Sequence, residues 1–489
     1  MQLRPCFAVV TLAVGSIVCG QSFSTRNDHR NLGLAELGFY LTEHDTGFII
    51  LQGGYDTLNG FRRLCFVLSA YDGGVQEFHS FGRDSLSCYV GWASGPAKTT
   101  AALFVFGTAY DGNRNSSLYW GFNSVLDSSW STEVFTESTT ASIGNSAAVN
   151  GYAQYGIGTL WHDSSEGEIF LVKLDTLGDV LWTREYGGSY RDEGWTIDTT
   201  ADGGFILGGL AQFNDTNYDA YIIKTDSLGN EEWHRYLGGP YRDGHSNVIT
   251  TANGEYVNVG KDATDQTFTT TVFKPYAARL SATGSTLWER TYGYWNTENE
   301  LNTAKELPDG SFISCGTYHT GTRTAGTLLK FAANGDSLWM RTYVHPPLDT
   351  IFSYHTLYDV IQDDEGHFVS CGSTNDGQQD LWVIRVDSFG CLVPGCQQFD
   401  NIAEQSLNLN ILAYPNPTRG TLFLSFRSIH LPVGEFVLFN SAGTMVQRFA
   451  PGGASVEIDY DIGHHPSGMY LLQYQEQGAV KWSQKVIKE

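Results

Sequence analysis

The stretch DGGFILGGLAQFNDTNYDAYIIKTDSLGNEEWHRYLGG, Asp202–Gly239, decides how the chain reads. Asp202-Gly203-Gly204 supplies a tight turn, because glycine tolerates positive φ. Phe205-Ile206-Leu207 and Tyr221-Ile222-Ile223 are short β-favouring runs. Asp226-Ser227-Leu228-Gly229-Asn230 is a hairpin turn, Trp233 opens a further strand, and Gly238-Gly239 closes it. A sheet of three or four antiparallel strands fits inside about fifty residues at this spacing.

The phrase recurs outward in both directions. It reads LDTLGDVLW at Leu174–Trp182, TDSLGNEEW at Thr225–Trp233, LSATGSTLW at Leu280–Trp288 and FAANGDSLW at Phe331–Trp339. LDSSW places Trp130 earlier, and YDGGVQEF places Phe78 earlier still, at a near-constant step. A second phrase, a Gly turn followed by an aromatic anchor, falls at Phe48, Phe104, Tyr152, Phe205, Tyr256, Phe312 and Phe368. A period near fifty with four short strands per unit predicts propeller blades. In the fourth blade the strands are expected near Trp195–Thr200, Gly204–Leu210, Asp219–Thr225 and Glu231–Leu237. The last blade offers only three, near Tyr354–Ile361, His367–Gly372 and Leu381–Val386. Its missing strand is supplied by the N-terminus, where Phe23-Ser24-Thr25-Arg26 imitates Trp182-Thr183-Arg184. The fold class is therefore all-β: a seven-bladed β-propeller of four-stranded blades, closed by the N-terminal strand, with a small β-sandwich after it. Closure hides sheet edges that an open array would expose.

Of the 489 residues, 17% are charged, and acid exceeds base by 24. That balance argues against nucleic acid or an anionic membrane, both of which need clustered Lys and Arg. It favours solubility and suits weak divalent-cation binding. Residues 1–20 read as a secretory signal: Arg4 is the positive start, and Phe7–Val18 is apolar but short for a membrane span. No later segment reaches eighteen apolar residues, so no transmembrane segment is expected. Residues 21–396 form the repeat region, 397–410 a polar linker and 411–489 the terminal domain. Six cysteines follow the signal. Cys391 and Cys396, in GCLVPGC, are the best disulfide pair. Cys315 and Cys371 share the slot SCG in successive repeats, where free buried thiols and a disulfide are equally open. No Cys/His metal spacing occurs.

The recurring Trp182, Trp233, Trp288 and Trp339 read as interblade packing rather than a ligand-stacking set. D-x-x-G-x-x-x-W resembles the tryptophan-docking motif of quinoprotein propellers, a likeness confined to the blade turn. It implies a shared way of docking blades, and no quinone-binding residues accompany it. Asp215-Thr216-Asn217-Tyr218-Asp219 begins like a calcium loop, but Ala220 replaces the required Gly, so an Asx-rich turn is expected and no cofactor is assigned. Asp111-Gly112-Asn113-Arg114-Asn115 and Asn375-Asp376-Gly377 read alike. His162-Asp163 and Tyr241-Arg242-Asp243-Gly244-His245 carry acid/base groups. Tyr190-Arg191-Asp192-Glu193 repeats the latter one blade earlier, which favours a polar contact between blades. No nucleophile elbow, zincin helix or phosphate loop is present, and no catalytic residue is assigned.

The end of the chain carries YPNPTRG at Tyr414–Gly420, FNSAGTMV at Phe439–Val446, PSGMYLLQY at Pro466–Tyr474 and a Lys485-Val486-Ile487-Lys488 close. Seven short strands in this length predict a sandwich. The segment resembles the type A C-terminal sorting domain of type IX secretion cargo from Bacteroidetes, with Tyr414, Pro415, Asn416, Pro417, Gly420, Gly468, Tyr470 and Lys485 on the matching motifs. His464-His465 before the Pro466 turn departs from the pattern. The resemblance implies export across the outer membrane, with the translocon and its sortase as partners, then release or attachment at the surface. For the repeats, a binding or adhesion module for glycan or protein is the first expectation. An extracellular carbohydrate-active enzyme at a channel mouth is the alternative, and a quinone or metal site is a third.

Overall fold

The computed structural model describes residues 23–27, 37–392 and 411–488, without 45–46, 57–59, 84, 92–94, 124, 136–140, 163–166, 189, 215–216, 240, 242, 268–269, 294–298, 320–323, 346–353, 376–378, 415, 427–433, 441–443, 450–456 and 477–478. The signal-like segment and the linker lie outside these residues. The chain divides into two compact units, Met1–Leu392 and Val393–Glu489.

The first unit is all-β and built of antiparallel four-strand runs. The first sheet holds Leu37–His44, Gly47–Asp56, Phe61–Ala70 and Val75–Phe81 in that order. In the second, the opening strand is split into Ser87–Val90 and Ala97–Lys98, which both pair with Ala102–Tyr110; Asn115–Asn123 and Ser128–Glu133 complete it. The third runs Ala141–Asn150, Ala153–Trp161, Gly167–Leu174, Val180–Tyr186. The fourth runs Asp192–Thr199, Phe205–Asn214, Asn217–Thr225, Glu231–Leu237, and the fifth Gly244–Thr250, Tyr256–Thr267, Thr270–Leu280, Thr286–Thr291.

What remains is an eight-stranded sheet made of two halves. The Glu300–Tyr343 half is joined to the next by a single parallel pair, Thr324 with Tyr354. The terminal half consists of Tyr354–Gln362, Phe368–Asn375, Gln379–Val386 and the N-terminal Phe23–Asn27. Phe23 lies opposite Arg385 and Asn27 opposite Leu381. In the preceding half Trp339 lies opposite Lys330, in the matching place. Trp382 donates its indole N–H to Ser24 Oγ at 3.0 Å.

Apolar cores lie between consecutive sheets. Tyr155, Ile157 and Leu171 of the third meet Ile197, Phe205 and Leu207 of the fourth. Leu41, Phe48, Ile50 and Val67 of the first sheet meet Val369, Cys371, Leu381 and Val383 of the terminal half.

The repeated turn explains the spacing of Trp and Gly. Asp226 Oδ1 accepts the amides of Leu228 and Asn230, and Gly229 takes φ 76°. The same turn places Gly178, Gly284, Gly335 and Gly390 at positive φ. Each of these glycines receives the tryptophan of the preceding sheet. Trp130 covers Gly178, Trp182 covers Gly229, Trp233 covers Gly284, Trp288 covers Gly335 and Trp339 covers Gly390. Tyr186, Tyr292 and Tyr343 then donate their hydroxyls to the carbonyls of Gly229, Gly335 and Gly390 at 2.6, 2.9 and 2.7 Å. A Cβ on Gly335 would sit 2.9 Å from the Trp288 ring and hold a strained φ. Gly335→Ala should therefore cost about 2–3 kcal/mol in denaturant unfolding; an unchanged midpoint would mean the ring does not seat there.

Two aromatic anchors are displaced from their expected slot. Tyr152 is 90% exposed, because Gly151 at φ 64° makes a tighter hairpin and leaves the ring in the turn. Gln154, opposite Leu174, holds the strand position that Phe205 holds opposite Thr225. In the second sheet Leu103, opposite Phe122, takes that position, and Phe104 faces the other side.

Cys65, Cys88, Cys315 and Cys371 are buried free thiols, and Cys391 is disulfide-bonded. Cys396 lies outside the described residues.

The second unit has two sheets sharing one core. Ile411–Tyr414, Thr421–Phe426 and Glu457–Asp461 form one; Met445–Phe449, Glu435–Asn440, Gly468–Glu476 and Ala479–Lys488 form the other. Leu422, Leu424 and Tyr460 pack against Phe436, Leu472, Tyr474 and Val486.

Candidate functional site

The first strand of nearly every sheet carries the same irregularity, a β-bulge with one extra residue. The register jumps from Gly38 to Tyr40, Gly144 to Ser146, Gly194 to Thr196, Gly244 to Ser246, Leu301 to Thr303 and Leu357 to Asp359. The extra residues are Phe39, Asn145, Trp195, His245, Asn302 and Tyr358. A bulge leaves its residue out of the ladder and re-aims it. The turn glycine and the tryptophan over it repeat one residue type from sheet to sheet; this slot does not.

Four of these residues converge on one cleft of about 420 Å³. It is lined by Ile143, Asn145, Thr159 and Trp161 of the third sheet, Arg191, Glu193 and Trp195 at the start of the fourth, Glu300 and Asn302 of the Glu300–Tyr343 half, and Tyr354 and Tyr358 of the terminal half. Its charges are matched. Arg191 pairs with Glu193, and Lys261 pairs with Glu300 at 2.9 Å. Trp195 donates its indole N–H to Glu193 Oε2 at 3.0 Å. Asn145 and Asn302 donate side-chain N–H to the carbonyls of Gly194 and Leu357 at 2.6 and 2.8 Å, each tying its sheet to the next. The cleft therefore has aromatic faces, amide groups and two closed ion pairs.

A second 420 Å³ cavity lies among the first strands themselves, bounded by Tyr40, Ser146, Thr196, Asp198, Asn247, Thr303 and Lys305. Lys305 stands 3.6 Å from Asp359, whose other oxygen accepts the Leu41 amide at 3.1 Å. Burial raises the Asp359 carboxyl above its ordinary range, and the nearby Asp359 raises the Lys305 ammonium. These groups bind three sheets to one another. A third cavity, of about 570 Å³, is bordered by Glu43, Tyr71, Lys98 and Asp364. Its polar groups already serve each other: Lys98 donates to the Glu43 carbonyl at 2.8 Å, and Tyr71 to the Glu43 carboxylate at 3.3 Å.

The YRD repeats are polar ties between sheets. Asp192 accepts the Gly188 amide at 2.6 Å, and Asp243 accepts the amides of Gly239 and Ala263. In each case the aspartate links the end of one sheet to the next. Desolvation lifts Asp192, Asp219 and Asp243 to about 6, from an ordinary value of 3.8. The folded chain thus holds these protons more tightly than the unfolded chain. Their contribution is greatest below about pH 4, where both states are protonated, and falls as pH rises through 6. Thermal midpoints should be higher at pH 5 than at pH 7.5, by roughly 2–4 °C for each kcal/mol recovered. Asp219→Asn should flatten that slope.

Other singled-out residues are structural or lie apart. Asp111 Oδ1 accepts the amides of Asn113 and Arg114, both at 2.8 Å, an Asx turn. Asp215 and Thr216 lie outside the described residues, and so does Asp163. His162 stands with Glu168 and Glu185 in the one group of three close metal-binding side chains among the described residues. A pattern not read from the sequence is the cation slot Lys224, Arg279, Lys330 and Arg385, each paired with an acid of the first turn: Asp202, Glu255, Asp309 and Asp363. The period-fifty recurrence of Lys/Arg two residues before the turn Asp, Ser, Ala or Asp is the signal that reveals it.

In the second unit, Asn416 clasps the last strand. Its Nδ2 donates to the Lys485 carbonyl at 2.6 Å, and its Oδ1 accepts the Ile487 amide at 2.8 Å. Thr418 adds its amide to the Ile487 carbonyl at 2.8 Å. Tyr470 donates to the Pro466 carbonyl at 2.7 Å. Gly420 takes φ 153°, and a Cβ there would meet Gly463 at 2.9 Å. His465 bonds Gln447 at 2.8 Å, with the His464 ring 4.1 Å away. Pro415 lies outside the described residues.

Residues 412–489 match the family described as the secretion system C-terminal sorting domain. The protein is exported by the type IX secretion system to the cell surface or extracellular space. The domain implies interaction with that machinery, and no helix among the described residues is long and apolar enough to cross a membrane. No curated protein sequence matches the chain. Among solved structures, the acylaminoacyl peptidase of Pyrococcus horikoshii aligns over 82% of this chain and 59% of its own, with 10% identity and TM-score 0.41. The chain thus spans about three fifths of that peptidase. The polysaccharide lyase Uly1 aligns over 77% of this chain and 92% of its own, with 8% identity and TM-score 0.40. A subtype N10 neuraminidase-like protein of A/little yellow-shouldered bat/Guatemala/060/2010 aligns over 61% and 99%, with 11% identity and TM-score 0.37.

Proposed function

We propose that this chain is a cargo protein that displays a seven-bladed β-propeller, and that the propeller binds glycan through the cleft at one mouth of its central channel. Seven four-strand groups, counted with the eight-stranded sheet as two, support the blade number. The pairing of Phe23–Asn27 with Gln379–Val386 and the core between the first sheet and the terminal half support closure. The proposed boundaries are a signal at 1–20, the propeller at 21–396, a linker at 397–410 and the sorting domain at 411–489. A disulfide between Cys391 and Cys396 is proposed from their spacing and the bonded state of Cys391. The sorting tail supports a Bacteroidetes source, with sortase processing and either release or outer-membrane attachment.

One observation carries the ligand class. Trp161, Trp195, Tyr354 and Tyr358 meet in a single cleft beside Asn145 and Asn302. The C–H faces of sugars stack on aromatic rings, and their hydroxyls bond to amides and carboxylates. Trp195→Ala should weaken glycan binding about tenfold or more, read by calorimetry on a glycan found by array. No change in affinity would remove the cleft from the account.

Catalysis is the second reading. Glu193, Glu300, Arg191, Tyr354 and Tyr358 stand together in the cleft, the kind of convergence a hydrolase or lyase requires. Turnover of a polysaccharide by purified protein, lost in Glu300→Gln, would favour it. The tryptophan-on-glycine docking supports the quinoprotein-like packing mode without supporting a quinone.

A further inference from the structure

Resting on the glycan reading, we infer that the cleft selects neutral glycans over uronic or sulfated ones, and that the bulge residues are its specificity-determining positions. The charge pattern is the first ground. Among the described residues, the cleft cation Arg191 is engaged by Glu193, and Lys261 is engaged by the cleft residue Glu300. An anionic sugar entering here would have to compete with an existing carboxylate for its cation. Like charges brought close repel, and more strongly in a site partly excluded from water. Displacing a paired carboxylate therefore works against a uronate or sulfate. Next to Trp161 in sequence, His162 stands with Glu168 and Glu185, a group with two acids. The whole chain, at −24, repels polyanions before contact.

The bulge is the second ground, and it is independent of charge. The same backbone irregularity recurs in sheet after sheet, so the scaffold holds this position constant. Its occupants in the cleft are of two kinds, the amides Asn145 and Asn302 and the rings Trp195 and Tyr358, and none of the four carries a formal charge. Residues kept identical across repeats serve packing. Residues that vary at a fixed, cleft-facing position serve discrimination. An array of amides and rings without charge reads hydroxyl patterns and apolar sugar faces, the features of an uncharged chain.

The test uses the purified exported chain and calorimetry against two sets of probes, with and without added salt. One set is neutral: gluco-, xylo- and manno-oligosaccharides. The other is anionic: oligogalacturonate, alginate oligomers and heparin. The expected result is binding to at least one neutral probe, little affected by salt, with anionic probes roughly tenfold weaker or more. Trp195→Ala and Asn302→Ala should change the ranking among neutral probes, and Trp195→Phe, which keeps a ring, should retain part of the affinity and report folding. Tighter, salt-sensitive binding of an anionic probe would overturn the inference and leave the glycan reading standing. An unchanged ranking in folded variants would overturn the role of the bulge residues. Binding to no carbohydrate at all would overturn the glycan reading itself.

Discussion

Deleting Phe23–Asn27 with residues 1–22 kept should unfold the repeat unit or drive it to aggregate. Those five residues pair along the whole of Leu381–Arg385. Losing them costs on the order of 4–5 kcal/mol if each paired residue contributes about 1 kcal/mol, a large share of the stability of a typical domain. The cost extends beyond the ladder. The Trp382 indole is fully buried and would lose its acceptor, Ser24 Oγ. Gln379–Val386 would become an exposed edge with apolar residues on both faces, open to pairing with another chain. Denaturant unfolding and light scattering would show this as a lower midpoint and new soluble oligomers. A deletion variant as stable as the parent would mean that the strand is an accessory.

Truncation after Asn410 should abolish appearance of the protein at the surface and in the medium, leaving it in the periplasm. The sorting domain is what directs type IX export. A graded version follows from the clasp that Asn416 forms on the last strand. Asn416→Ala removes two hydrogen bonds, at 2.6 and 2.8 Å, from the Lys485–Ile487 segment. It should destabilise the terminal unit by about 1–3 kcal/mol and reduce export in proportion to the unfolded fraction. Fractionation with an antibody to the repeat unit checks both. Export of the truncated chain at the parental level would place the signal elsewhere.

The fold was legible wherever one residue type answers one steric demand. Gly229 and its equivalents must take positive φ under a tryptophan ring, so the turn glycine survives in five turns, four of them followed by Trp, and announces the period. The strand at Phe23 was legible because its partner strand had no other neighbour in sequence. The anchor at Tyr152 misled, because an aromatic after a glycine is also what a tight exposed turn accepts. Phe78, one place beyond the tryptophan slot and opposite Val67, shows the same drift in the first sheet.

The cleft was not legible. Its residues come from four places separated by more than two hundred positions, and the bulge that aims them is a backbone event without a fixed side chain. Trp195 and Tyr358 read in sequence as ordinary strand aromatics. Asp192 and Asp243 could be found through the repeated YRD, yet only the fold brings the backbone amides they accept beside them.

Hydrogen exchange read peptide by peptide tests the closed ring most directly. In a closed ring the amides of residues 23–27 exchange as slowly as those of Gln379–Val386 and open together with them. Exchange of residues 23–27 at the rate of a free tail, beside a protected Gln379–Val386, would contradict it.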